Sequence, residues 1–229
     1  MLSWVPSVIA PSHRAILCFQ PEKGSPEVKS ETLTDEQLIA RIKACDLCLP
    51  HLPDGVRPVF QFDPGARILV AAQAPGRRVH ETGIPFNDPS GERLREWMGI
   101  SAEIFYDPKQ LAILPMGFCF PGTGKSGDLP PRKECAPQWR QQLLDRLPNL
   151  QLILVIGQYA QAWHLQEKGS VTEIVSRWRD YCCQGQSPAV FPMPHPSPRN
   201  NIWLKRNPWF EAELVPELQK RVREIVASG

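Results

Sequence analysis

No stretch of this chain approaches the roughly 18–20 consecutive apolar residues that a bilayer span requires, so a membrane-spanning role is not expected. Strong charge of one sign is also missing. Lys and Arg number 26 against 24 Asp and Glu, which leaves +2, so any nucleic-acid partner must be met by a local basic patch. The first ten residues carry no basic leader and contain Pro6, which speaks against a secretory signal. Seven cysteines in 229 residues is an odd count in a chain too long for a disulfide-stapled mini-domain. That usage points to a reducing, cytoplasmic setting. No internal repeat occurs. Proline, by contrast, is plentiful at 25 residues and predicts many rigid loops between short elements.

One nucleotide-binding motif is almost present and fails. In "CFPGTGKSGDLPP" the run Gly124-Lys125-Ser126 has the end of a P-loop. That motif needs a glycine five residues before Gly124, where Cys119 stands. It must also lead straight into a helix, whose amides hold the phosphates. Gly127-Asp128-Leu129-Pro130-Pro131 cannot open one there.

Residues 1–31 show no sustained period and read as a tail; residues 32–229 read as one domain. Thr34-Asp35-Glu36-Gln37 supplies a capping box for a helix ending near Cys45. "ARILVAAQAPG", "LAILPMGF", "LQLILVIG" and "AVFPMPHPS" read as buried strands, the third turning at Gly157 into a helix. "GERLREWMGI", "APQWRQQLLDRL" and "NPWFEAELVPELQKRVREIV" read as helices, the last with a kink or break near Pro216. Apolar strands alternating with helices predict an α/β three-layer sandwich, its central, mainly parallel four-stranded sheet flanked by helices. Chemistry then belongs in loops beyond the carboxyl ends of the strands. "QAPGRRVHETGIPF", "CFPGTGKS" and "PHPSPRNN" all read as such loops.

Three groups of residues carry chemical interest. Cys45-x-x-Cys48 is a tight pair, and Cys119 with Cys135 a looser one. Four thiolates would suit an iron–sulfur cluster or zinc, while separate buried thiols fit the spacing equally well. Cys18, Cys182 and Cys183 read as structural. His195, bracketed by Pro194 and Pro196, is either a stiff loop residue or a fixed electrophile or acid-base group. Arg199, Lys205 and Arg206 among Asn200, Asn201 and Trp203 suit a phosphate backbone and an opened base stack. A solvated loop explains those charges but not the tryptophan. Pro75-Gly76 allows close backbone approach to a ligand. Phe86 is a stacking plate for a flat ring, or a loop anchor packed into the core.

Together these motifs resemble the uracil-DNA glycosylase superfamily. The resemblance rests on Ala72-Gln73-Ala74-Pro75-Gly76, Gly83-Ile84-Pro85-Phe86 and His195-Pro196-Ser197. The positions of Cys45, Cys48, Cys119 and Cys135 are similar to the iron–sulfur branch, family four, and "HPSPRN" is closer to the single-strand-selective branch. What the resemblance implies is a monomeric glycosylase that hydrolyses the N-glycosidic bond of uracil or another deaminated base in DNA. It further implies a [4Fe-4S] cluster on the four cysteines, with zinc or no metal as alternatives. Catalytic positions would be His195, Gln73 and His80. Ala74, Pro75, Gly76, Phe86 and Ser197 would hold the base, and Arg199, Asn200, Lys205, Arg206 and Lys125 the DNA, with Arg132 and Lys133 also suited to phosphate. His80, Glu81 and Asp88 are the candidates for activating water, with a largely dissociative reaction that needs none as the alternative. Departures are visible too. Val79-His80 stands where the branch has an acidic pair, Pro115 where it has a base-reading asparagine, and Ala74 where the classical branch has its water-positioning aspartate. They leave open a non-catalytic lesion binder of the same fold, or a zinc-stabilised domain with an unrelated small-molecule pocket.

Overall fold

The structure is a computed structural model that describes residues 33–125, 127–182 and 187–228. The expected tail over 1–31, Cys18, Ser126 and Cys183 lie outside those residues. The first helix, α1 (Asp35–Lys43), opens on the expected box: the Gln37 amide N–H donates to Thr34 Oγ1 at 3.3 Å, and the Thr34 N–H to Gln37 Oε1 at 2.9 Å. Both bonds satisfy N–H groups that have no partner in the first turn.

Strand β1 (Ile68–Ala71) is followed by α2 (Arg77–Thr82), α3 (Pro89–Met98) and α4 (Ala102–Phe105), then β2 (Leu111–Ile113). A small antiparallel hairpin, β3 (Thr123–Gly124) and β4 (Gly127–Asp128), precedes α5 (Cys135–Leu144). Then come β5 (Leu152–Ile156), α6 (Gly157–Leu165), α7 (Val171–Ser176), α8 (Trp178–Tyr181) and β6 (Ala189–Met193). The chain ends with α9 (Asn201–Arg206), a π-helical stretch over Phe210–Leu214 and α10 (Val215–Ala227).

The main sheet has the order β2-β1-β5-β6 with every pairing parallel. Its strands are buried on both faces because alternate side chains enter different cores. Ile68, Val70, Leu152 and Leu154 meet Trp97, Met98, Phe210 and Leu218 on one side. Leu69, Ala71, Ile153 and Val155 meet Leu38, Ile42, Trp139 and Leu143 on the other. A period of two with both sets apolar is what a doubly covered sheet demands. Burying each such leucine or isoleucine stabilises the fold by about 1.5–3 kcal/mol. The α/β sandwich is therefore as expected. Among the described residues no helix is long and apolar enough to cross a membrane.

Several local expectations are revised. "GRRVHET" is helical rather than loop, but α2 is only six residues long and buries Val79 alone, so it shows no period. "RNNIWLKR", also read as loop, contains α9. The kink or break expected near Pro216 takes the form of a change of helix type, with Pro216 the second residue of α10. The irregularity falls just before it, in the π-helical stretch.

Candidate functional site

From β1 the chain runs to β2 on one side, then crosses back to β5 on the other. The sheet order thus reverses between β1 and β5, the place where open α/β sheets leave a crevice at their carboxyl ends. Beyond those ends lies a cleft of about 520 Å³. Val59, Ala72, Ile113 and Pro115 line it, together with two of the loops singled out above, after β1 and after β6, and with Gly127 and Asp128 just past "CFPGTGKS". Gln73, Ala74, Pro75, Gly76, Phe86, His195, Ser197, Arg199 and Asn200 all line it. Residues more than a hundred positions apart therefore share one space.

The histidine loop is pinned from several directions. Asn200 Nδ2 donates to the His195 carbonyl at 2.7 Å, and Arg93 Nη1 reaches the carbonyls of Pro196 and Ser197 at 3.4 and 3.2 Å. The Ser197 N–H donates to His195 Nδ1 at 3.2 Å. An accepting Nδ1 assigns the proton of the neutral ring to Nε2. Burial lowers the pKa of His195, opposed by the carboxylates of Asp88 and Asp128. The imidazole is thus a neutral donor near pH 7, held in one tautomer.

Phe86 is also held rather than merely present. Its φ is +54°, a left-handed conformation that a phenylalanine adopts only under constraint. The Tyr106 hydroxyl donates to its carbonyl at 3.4 Å, and its ring packs edge-on to Phe105 at 6.0 Å. A Cβ added to Gly91 would lie 1.8 Å from the Phe86 oxygen, so only glycine fits behind it. Phe86 is half-buried: it packs against the core and still faces the cleft.

Other predicted residues lie elsewhere. His80 does not line the cleft; its ring packs against Phe120 at 5.8 Å, and its Nδ1 is buried without a hydrogen-bond partner among the described residues. Glu81 is exposed, outside the lining, with its carbonyl held by Arg57 Nη1 at 2.9 Å. Lys125, Lys205 and Arg206 are exposed and outside the cleft. Trp203 is no free stacking ring. Its Nε1 donates to Thr172 Oγ1 at 2.7 Å, and it packs edge-on to Phe210. The outward apolar side chain of α9 is its neighbour Ile202, 65% exposed. Sequence reasoning missed Arg77, Arg78 and Asp128, which line the cleft. The failed P-loop was the available signal, since its hairpin carries Asp128 to the rim.

The four cysteines converge on a second, smaller pocket. Cys45, Cys48, Cys119 and Cys135 line it together with Ile42, Leu52, Phe118 and Trp139. Each sulfur also receives a donor. Trp139 Nε1 lies 3.4 Å from Cys45 Sγ and the Phe118 N–H 3.4 Å from Cys135 Sγ. Arg132 hydrogen-bonds Cys48, and the backbone of Arg57 hydrogen-bonds Cys119. Burial pushes the Cys135 thiol up to about 12 and Cys119 to about 11, with the neighbouring thiols adding to both. Among the described residues no three potential ligands already stand close enough to grip an ion. The donor set is nonetheless four thiols with no carboxylate or imidazole between them, the composition that soft centres select.

One proline, three small or branched apolar residues, a clamped aromatic and a fixed histidine thus share one cleft. The profile of the uracil DNA glycosylase superfamily matches residues 59–219. The chain belongs to that superfamily. The match takes in the whole cleft, Cys119 and Cys135, and begins after Cys45 and Cys48. Pro115, on the lining, has no N–H to offer. Its carbonyl is taken by the buried Arg140, whose Nη1 lies 3.3 Å away and also bonds the Leu114 carbonyl at 2.8 Å.

Proposed function

We propose that the protein is a DNA glycosylase that removes uracil or another deaminated base. The observation that carries this reading is the meeting of Phe86 and His195 in one open cleft. A base inside a duplex cannot be reached, so the nucleotide is flipped out or taken from a single strand. Phe86 stacks on the flipped base, and backbone groups of Gln73 to Gly76 read its edge. As the C1′–N bond stretches, the base gathers negative charge. The Nε2–H of His195 donates to that charge, a contact stronger in the transition state than in the ground state. Gln73 has a positioning part: its Nε2 donates to the Leu129 carbonyl at 3.4 Å and steadies the hairpin at the rim.

Arg77, Arg78, Arg199 and Asn200 provide phosphate contacts at the mouth, with Lys125, Lys205 and Arg206 further out. Exposed Ile202 suits insertion between base steps. The cysteine pocket fits a [4Fe-4S] centre, held by Cys45, Cys48, Cys119 and Cys135. Such a centre would supply cross-linking and charge rather than a part in bond cleavage. Zinc is the competing occupant, and a brown protein absorbing near ~400 nm separates the two, since Zn²⁺ is d¹⁰ and colourless.

Single-turnover assays on oligonucleotides carrying uracil, hypoxanthine or xanthine, read as abasic-site cleavage, test the activity. Cleavage of at least one is expected. Pro115 favours one second reading, a lesion-binding protein without chemistry; tight lesion binding with no cleavage of any of the three would establish it.

A further inference from the structure

The cleft contains two carboxylates, and one of them has an oxygen with no hydrogen-bond partner among the described residues. Among the described residues that line it, Asp88 and Asp128 are the acidic ones, and both lie near enough to His195 to act on its charge. Asp88 is the N-cap of α3, with Oδ1 accepting from the Gly91 N–H at 2.9 Å. Asp128 is different. Its Oδ1 is 3.5 Å from the Thr123 hydroxyl, and its Oδ2 makes no hydrogen bond to a described residue. That oxygen lies over Gly76, where an added Cβ would come within 3.3 Å of it.

The hairpin that carries Asp128 is anchored to both walls of the cleft. Gln73 holds the Leu129 carbonyl, and the Leu129 N–H donates to the Gly122 carbonyl at 2.9 Å. On the other side the Arg199 guanidinium lies so close to Gly127 that a Cβ there would meet Nη1 at 2.5 Å. A negative side chain at the mouth of a phosphate-binding cleft weakens substrate binding unless the chemistry uses it.

We propose that Asp128 is the carboxylate that positions and deprotonates the water attacking the sugar. The assignment rests on the glycosylase reading above. The C1′–N bond breaks with its electron pair going to the base, whose charge meets the His195 Nε2–H. The oxygen of the water bonds to C1′, and one of its protons passes to Asp128. That proton is released to solvent, and the departing base takes up one in turn. The products are the free base and an abasic sugar. While C1′ is electron-deficient, the same carboxylate opposes its positive charge.

Asp128→Asn keeps the shape and removes the base. Single-turnover cleavage of the substrate oligonucleotide should fall by roughly 10²-fold or more, while anisotropy with the same oligonucleotide shows affinity equal or tighter. Asp88→Asn should fall less, because the amide still caps α3. Asp128→Ala with added formate should recover part of the lost rate, which a merely structural role would not allow. A rate for Asp128→Asn within about threefold of wild type, where His195→Ala is strongly impaired, overturns this assignment and leaves the glycosylase reading standing. Greater loss for Asp88→Asn than for Asp128→Asn likewise overturns it. A wild-type protein that cleaves none of the three lesions removes both proposals together.

Discussion

The cleft and the cysteine pocket are built alike and finished differently. Each collects residues from chain segments far apart, and each rests on a loop that follows a sheet strand. In the cleft the protein supplies its own counterparts: the His195 loop is bonded to Asn200 and Arg93, and Phe86 to Tyr106. In the cysteine pocket four thiols share one lining, and burial makes the ionised forms of Cys119 and Cys135 costly. A preorganised site holds its geometry without a ligand; the thiols of the pocket are the part whose occupant, under the proposal above, would take the protons' place.

That contrast can be broken from either side. The largest effect is expected at the cysteines. Cys45→Ser with Cys48→Ser should abolish metal content and lower the thermal midpoint by many degrees, read by iron analysis and calorimetry. An unchanged midpoint would make the pocket a set of ordinary buried thiols. Next, His195→Ala should slow cleavage by about 10²–10³, or ~3–4 kcal/mol of transition-state stabilisation, with DNA affinity little altered. Because burial holds the imidazole neutral, the wild-type rate should stay flat as pH rises above the ordinary histidine value. A rate falling there would mean that the charged ring is the donor. Gly91→Ala is smaller: a Cβ cannot share space with the Phe86 carbonyl, so about 1–3 kcal/mol of stability and the stacking position should be lost together. Arg199→Ala should weaken binding to every DNA sequence alike and reduce the salt slope by about one.

Much of the fold was legible because its strands are continuous apolar runs bounded by proline and glycine, and its longer helices show a clear period. The capping box at Thr34 and the turn at Gly157 needed only local chemistry to be read. The short helices α2 and α9 were not legible, since each buries a single residue and neither completes a pattern. In the site, His195 and Phe86 were visible from their proline neighbours. That His80 lies outside the cleft was not legible, because nothing in "RRVHET" says which side of a short helix faces Phe120. Trp203 was misjudged because an aromatic beside basic residues reads the same whether it faces DNA or Phe210.

The sequence alone determined that a parallel, doubly covered sheet would form, for local apolar pattern is enough to choose strand over helix and buried over exposed. It also ruled out nucleotide binding at "GTGKS", since the missing glycine and the two prolines are chain-local facts. Only the tertiary structure decided that the hairpin of this failed loop reaches the cleft, that Asp88 and Asp128 rather than His80 share it with His195, and that four scattered cysteines line one pocket. Those outcomes depend on which side chains packing brings within a few ångströms, and distance along the chain carries no information about that.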